Sequence, residues 1–336
     1  MDRRQKALLK RIASIFVPLL VLIVISLLGT AIYFAYRMVH PDRRAVINTP
    51  EGYQQILKKP NWDEKTWAGA GGAEMSGWLL YHNYASPVII LSHGYGSNRE
   101  ELLSTGYRLW DAGYNVLIYD LRAHGASRSN TSSLGPDEIK DLEATIAYAK
   151  ALTTEAGQPV GDGRIGLYGV DLGGAISLTA AANDPDVKAI AVDSIYPTQE
   201  VYEQHLTRTI IGASDPPGSS FVESGFFQTV LELPLTLLGA SGEPPLPIQQ
   251  AIARLGDRPL LFLISTSSRL TPFARQAAVV AEAAPNAQIV ELARTRTDVS
   301  LIKDDAKAYD DAVVSFFTQA KDFAPPPRPS RSSSQG

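Results

Sequence analysis

No cysteine occurs among the 336 residues. That absence excludes disulfides, thiolate metal sites and a cysteine nucleophile. Histidine is scarce as well: there are five, and none follows His205. Charged residues make up 20% of the chain and the net charge is -4, so no basic surplus points to a nucleic-acid partner. No internal repeat is visible. What the chain has in ordinary supply is apolar residue, 45% of the total, enough for a sizeable core in one large domain or two modest ones.

Charge is missing altogether from Ile12 to Tyr36. As a helix this run is long enough to cross a hydrocarbon core of about 30 Å. A cleaved signal peptide has a shorter apolar region, about 7–15 residues, and no small-x-small cleavage site follows here. The run therefore predicts a transmembrane helix over 12–36, with Pro18 tolerable near its start and a basic segment, 1–11, before it. Arg3, Arg4, Lys6, Lys10 and Arg11 stand on one side, against Arg37, Arg43 and Arg44 on the other. The basic excess predicts a cytoplasmic N-terminus and an extracytoplasmic domain. Residues 37–66 read as a membrane-proximal connector with one or two short helical turns. The far end, 323–336, is FAPPPRPSRSSSQG, whose proline and serine density predicts a disordered tail.

Between these ends strand and helix patterns alternate. Apolar runs at Met75–Tyr81, Val88–Ser92, Asn115–Asp120, Arg164–Tyr168, Val187–Asp193, Pro259–Ile264 and Gln288–Leu292 predict strands. Glu100–Asp111, Pro136–Leu152, Ala274–Ala284 and Asp305–Gln319 predict helices, the second begun by proline at its first turn. Such alternation implies an α/β fold with a mostly parallel sheet and helices on both faces. The interruption at about 196–257, rich in proline and glycine, reads as a cap insertion in a domain spanning 67–322. Its helical pieces fall around Glu200–Arg208 and Phe226–Leu238.

The chain's most informative stretch is Ile165 to Ile176, IGLYGVDLGGAI. A short strand ends in Gly169-Val170-Asp171-Leu172-Gly173-Gly174 and a helical pattern follows at once. Glycines two before and two after a central residue suit a sharp strand-to-helix turn, in which the central backbone is strained and its neighbours approach closely. This resembles the nucleophile elbow of the α/β-hydrolase superfamily, G-x-S-x-G, with Asp171 where that family has serine. Ser92-His93-Gly94-Tyr95-Gly96 resembles the family's HG segment, and Asp120 to Ser127 its D-x-R-G-x-G-x-S turn with Ala123 in place of glycine. Ala191-Val192-Asp193-Ser194, and Pro247-Ile248 followed by Arg258-Pro259, also fit. With the anchor, the pattern is similar to membrane-anchored serine hydrolases of the Bem46 and prolyl-oligopeptidase-like branch.

The resemblance implies an oxyanion hole made by the N–H groups of Tyr95 and Leu172. It also implies an acid in the segment Ser265 to Pro272, where Ser268 stands, and a histidine before the last helix, where counting back places Asp298 within a residue or two. Serine, acid and histidine of the triad are thus all replaced, at Asp171, Ser268 and Asp298. His93 and His124 belong to turn motifs, where a structural role is expected. Losing nucleophile and base together costs about a million-fold in rate. Family members with an aspartate nucleophile still need a histidine to activate water.

A carboxylate at a helix N-terminus beside two backbone donors is stabilised as an anion. Asp171 is therefore expected to fill its own oxyanion hole, ionised, with Arg294 or Arg296 as charge partner rather than a metal ion. No cofactor is expected. The implied function is a membrane-anchored pseudo-hydrolase with a binding or scaffold role. A small molecule or protein would occupy the former active-site cleft. The alternative is an active hydrolase of esters or peptides with an unorthodox, Asp171-centred site.

Overall fold

The structure is a computed structural model. It describes residues 3–52, 60–154, 156–195, 206–207, 209–211, 219–222, 224–240, 248–265, 284, 287–292 and 303–326. The chain divides into two compact units: Met1–Val39 with Glu203–Gly242, and His40–Tyr202 with Glu243–Gly336.

In the first unit, helix α1 runs from Arg3 to Val39 with Pro18 inside it. It is long and apolar enough to cross a membrane. Only toward its end does it bury residues, at Ala31, Phe34, Ala35, Met38 and Val39.

The second unit is built on one eight-stranded sheet. Its strands are β1 (Asn61–Ala68), β2 (Glu74–Tyr81), β3 (Val88–Ser92), β4 (Asn115–Asp120), β5 (Ile165–Val170), β6 (Val187–Asp193), β7 (Leu260–Ser265) and β8 (Ala287–Leu292). Their order is β1-β2-β4-β3-β5-β6-β7-β8. The β1–β2 and β2–β4 pairs are antiparallel and all others parallel. The central strands VIILS and IGLYGV are buried at every position. That is the continuous apolar pattern of parallel strands covered on both faces.

The helices divide between the two faces. Helix α2 (Leu103–Ala112) ends at Gly113, whose φ of 113° closes the last turn. Helix α3 (Pro136–Ala151) starts with proline at N1, and the Glu138 carboxylate reaches back to the Gly135 N–H at 2.8 Å. Helix α4 (Leu172–Asn183) carries so many small residues that it packs closely between α3 and β5. Helix α5 (Gly225–Leu237) belongs to the first unit. Helix α6 (Ile248–Leu255) packs on α4, so α3, α4 and α6 line one face. Helix α7 (Lys303–Gln319) packs on α2 across the other. There Asp310 accepts from the Ser104 and Thr105 hydroxyls, each at 2.7 Å.

Three expectations are corrected. The connector does not extend to residue 66, because Asn61 to Ala68 pairs with β2 as an edge strand. Three of its eight residues are charged and only Trp67 is buried, so it carries no strand-like apolar run. The tail does not begin at 323: Phe323 is fully buried, stacking on Tyr114 at 5.6 Å, because one large aromatic outweighs the prolines beyond it. The helix expected from Glu100 opens as a 3-10 turn, Arg99–Leu102, before α2 begins. Most of the helices expected at Ala274–Ala284 and Glu200–Arg208 lies outside the described residues.

Candidate functional site

Asp171 sits between β5 and α4, at the carboxyl end of the sheet where the strand order reverses. Sites in doubly wound α/β sheets occupy this position. Its φ is 52° and ψ -116°, a left-handed backbone that costs a non-glycine residue energy. The conformation is fixed from both sides. The Asp171 N–H donates to Asp193 O at 2.9 Å, and its carbonyl accepts from Gly174 at 3.0 Å and Ala175 at 3.1 Å. A Cβ on Gly169 would lie 2.1 Å from Gly173 O, and one on Gly173 would lie 2.2 Å from Ser92 O. Both elbow glycines are therefore required by close backbone approach.

The side chain turns inward and is only 4% exposed. Its Oδ2 accepts from the Tyr95 N–H at 2.9 Å. The Leu172 N–H, at the first position of α4, also favours the charged form of this carboxyl. Oδ1 is buried and has no hydrogen-bond partner. Desolvation dominates and pushes the Asp171 carboxyl up to about 7, against the two backbone donors and with help from the Glu101 and Asp193 carboxylates. Backbone donors alone therefore do not outweigh burial, and the cation expected to complete the charge balance, Arg294 or Arg296, is outside the described residues. Of the residues singled out in the sequence, the fold brings together Asp171, Tyr95 and Leu172. Ser268, Arg294, Arg296 and Asp298 lie outside the described residues.

His93 and His124 are both fully buried and fully used. His93 Nε2 accepts from the Leu121 N–H at 3.0 Å, and Nδ1 meets Gly94 O at 2.7 Å. His124 Nε2 accepts from the Gly96 N–H at 2.9 Å, and Nδ1 meets Arg122 O at 2.7 Å. A backbone N–H can only donate and a carbonyl can only accept, so each ring is neutral with its proton on Nδ1. Burial pulls His93 down to about 4 and His124 to about 3. Neither ring has a nitrogen to spare for proton transfer.

A second buried group has no signal in local sequence. The Tyr309 hydroxyl on α7 donates to Asp193 Oδ2 at 2.6 Å, the Ser194 hydroxyl donates to Oδ1 at 2.6 Å, and the Tyr168 hydroxyl bonds that of Tyr309. These groups fix the end of β6 beside the elbow. A pocket of about 350 Å³ lies at the far end of β7, lined by Ile252, Leu255, Arg258 and Leu260 among others. Another of about 400 Å³ is lined by Arg122, Arg128, Asp137 and Lys140. Neither is lined by Asp171, Tyr95 or Leu172.

A family model described as the alpha/beta hydrolase fold matches residues 87–219. The chain is similar to uncharacterized protein YqkD of Bacillus subtilis, with 32% identity over 112 residues, 33% of this chain and 35% of that one. Polyketide transferase af380 of Aspergillus fumigatus is 31% identical over 121 residues, 35% of this chain and 40% of its own. The chain thus spans about a third of the length of the curated relatives it matches first. Among solved structures, the Pyrococcus furiosus esterase Pf2001 superposes with a TM-score of 0.61 at 20% identity, covering 84% of this chain and 98% of that one. Hypothetical protein PA2218 of Pseudomonas aeruginosa gives 0.58 at 16% identity, covering 82% and 98%.

Proposed function

This chain has the α/β-hydrolase fold, and on that premise we propose that it is a membrane-anchored pseudo-hydrolase with a binding or scaffold role. The observation that carries the reading is the Tyr95 N–H bond to Asp171 Oδ2, in a side chain almost closed to solvent. A carbonyl substrate of a hydrolase places its developing oxyanion between two such donors. Here the Tyr95 donor is taken by the elbow's own carboxyl, which sits beside the Leu172 N–H. At neutral pH that carboxyl is close to half protonated. The described histidines nearby, His93 and His124, serve the backbone and not a reacting water. On the resemblance, Ser268 and Asp298 stand at the acid and histidine positions, completing a degenerate triad.

Anchoring rests on α1, whose apolar run and preceding basic residues favour a cytoplasmic N-terminus and an extracytoplasmic fold. Protease added to intact cells should then remove the folded part. Protection until lysis would reverse the orientation.

One observation favours a second reading. Asp171 Oδ1 lacks a partner, and an aspartate with a free oxygen is the nucleophile an unorthodox hydrolase of esters or peptides would need. The likeness to an esterase agrees with it. The full chain in detergent, tested with short acyl esters and a fluorophosphonate probe, separates the two. The first reading expects turnover equal to a boiled control and no labelling. Turnover that disappears in Asp171→Asn would establish the second.

A further inference from the structure

Helix α5 has three distinct sides. Phe227, Gln228, Leu231, Pro234 and Leu235 are buried, and α5 packs on α1. Phe227 meets Phe34 edge to face at 5.8 Å. Ala31 and Ala35, both fully buried, form the small-xxx-small step that lets a neighbouring helix approach a membrane span closely. A second side carries Phe226, Val230, Leu233 and Leu237, spaced i, i+4, i+7 and i+11. Phe226, Leu233 and Leu237 are 63%, 60% and 77% exposed. Between these sides runs a narrow polar stripe of Thr229, Glu232 and Thr236. The threonine hydroxyls bond back to Gly225 O at 3.0 Å and Glu232 O at 2.8 Å, leaving Glu232 as the stripe's one charge. An outward apolar stripe beside a polar one is the pattern of a helix lying in a membrane interface.

The position of α5 along α1 identifies what covers that stripe. Counting about 20 residues of hydrocarbon from Ile12 places the far boundary near Ala31. The buried patch of α1, Ala31 to Val39, therefore begins at that boundary and runs outward. Tyr33 and Tyr36, both about half exposed, stand where an aromatic belt is found. We propose that α5, with Phe221 of the preceding turn, is an interfacial membrane helix whose Phe226–Val230–Leu233–Leu237 stripe lies in the acyl–headgroup boundary of the bilayer that α1 spans. This rests on the anchor reading of α1. It makes the insertion a membrane-seated element, where a free-standing lid would have no use for so much outward apolar surface.

The absence of native cysteine makes the test direct. Full-length chain carrying Leu233→Cys, Leu237→Cys, Glu232→Cys or, as anchor control, Ile23→Cys is labelled with an environment-sensitive fluorophore and reconstituted in phosphatidylcholine vesicles. Exposed Gln158→Cys serves as the aqueous control. The proposal expects labels at 233 and 237 to be quenched by nitroxide-bearing lipid and shielded from aqueous iodide, with 232 open to iodide. If 23 is lipid-quenched while 233 and 237 respond to iodide like 158, the interfacial helix is refuted and the anchor stands. Iodide access at 23 overturns the anchor and this inference with it. Labels at 233 and 237 shielded from both quenchers would place protein on the stripe, a second copy of the chain included, and equally refute the bilayer as its occupant.

Discussion

Asp120 and Asp171 are both buried aspartates at the carboxyl ends of central strands, and each closes a turn with backbone donors. Their surroundings differ in completeness. Asp120 Oδ1 takes the Arg99 N–H at 2.7 Å, Oδ2 takes the Ala126 N–H at 2.9 Å, and the Arg99 guanidinium lies 3.5 Å away. Burial still raises its carboxyl, with Arg99 pulling the other way. Asp171 accepts one backbone N–H, from Tyr95, and has one unused oxygen and two carboxylates, Glu101 and Asp193, raising its carboxyl. The carboxylate of Asp120 is matched atom for atom, whereas that of Asp171 leaves Oδ1 unmatched.

The comparison breaks first at Asp120. Asp120→Ala should cost about 3–5 kcal/mol, because it strands the Arg99 and Ala126 N–H groups and removes one of the two carboxylates beside a buried guanidinium. Denaturant unfolding would detect it, and a loss under about 1 kcal/mol would show that Glu64 and Ser76, 2.6 and 3.1 Å from the Arg99 guanidinium, suffice.

Asp171→Asn should act in the opposite direction. Between the ordinary carboxyl value of 3.8 and about 7, the native state holds a proton that the unfolded state has released. Stability therefore falls as pH rises through that window, and the penalty is complete above it. At pH 8 the Asn variant should be more stable than wild type by a few kcal/mol, up to about 4. The gain should vanish below pH 4. A variant less stable than wild type at pH 8 would mean that ionised Asp171 is compensated.

How much of this was legible is uneven. The elbow could be read because glycine spacing encodes backbone approach locally, and Gly169 and Gly173 do face atoms 2.1 and 2.2 Å from any added Cβ. The parallel strands could be read because burial on both faces leaves continuous apolar runs. Asp171's protonation could not, since the sequence shows its two donors and hides the burial that opposes them. Strand β1 was hidden by its charges, as an edge strand needs few apolar residues. The Tyr168–Tyr309–Asp193 chain joins residues far apart in sequence. Likewise α5 advertised its hydrophobicity without naming α1 as its partner.

The histidines sharpen the comparison further. Both are neutral in the fold, so protons taken up on unfolding make stability fall with pH from the ordinary value of 6.5 through about 4 for His93 and 3 for His124. Asp171 contributes the reverse slope across most of the same range. Wild type should thus show a shallow acid limb and Asp171→Asn a steeper one, measurable by denaturant midpoints from pH 4 to 7. His124→Ala should cost about 1–3 kcal/mol through the unpaired Gly96 N–H. The smallest effect is expected from Asp171→Ser alone, which should gain little or no ester turnover because no free histidine nitrogen is near among the described residues.

The most direct test is the pH–rate profile of ester hydrolysis by the full chain between pH 5 and 9. A carboxyl that merely fills the Tyr95 donor predicts rates equal to those of boiled protein at every pH. Turnover rising through a midpoint near 7 and absent from Asp171→Asn would show instead that ionised Asp171 is a working nucleophile, and would contradict the pseudo-hydrolase account.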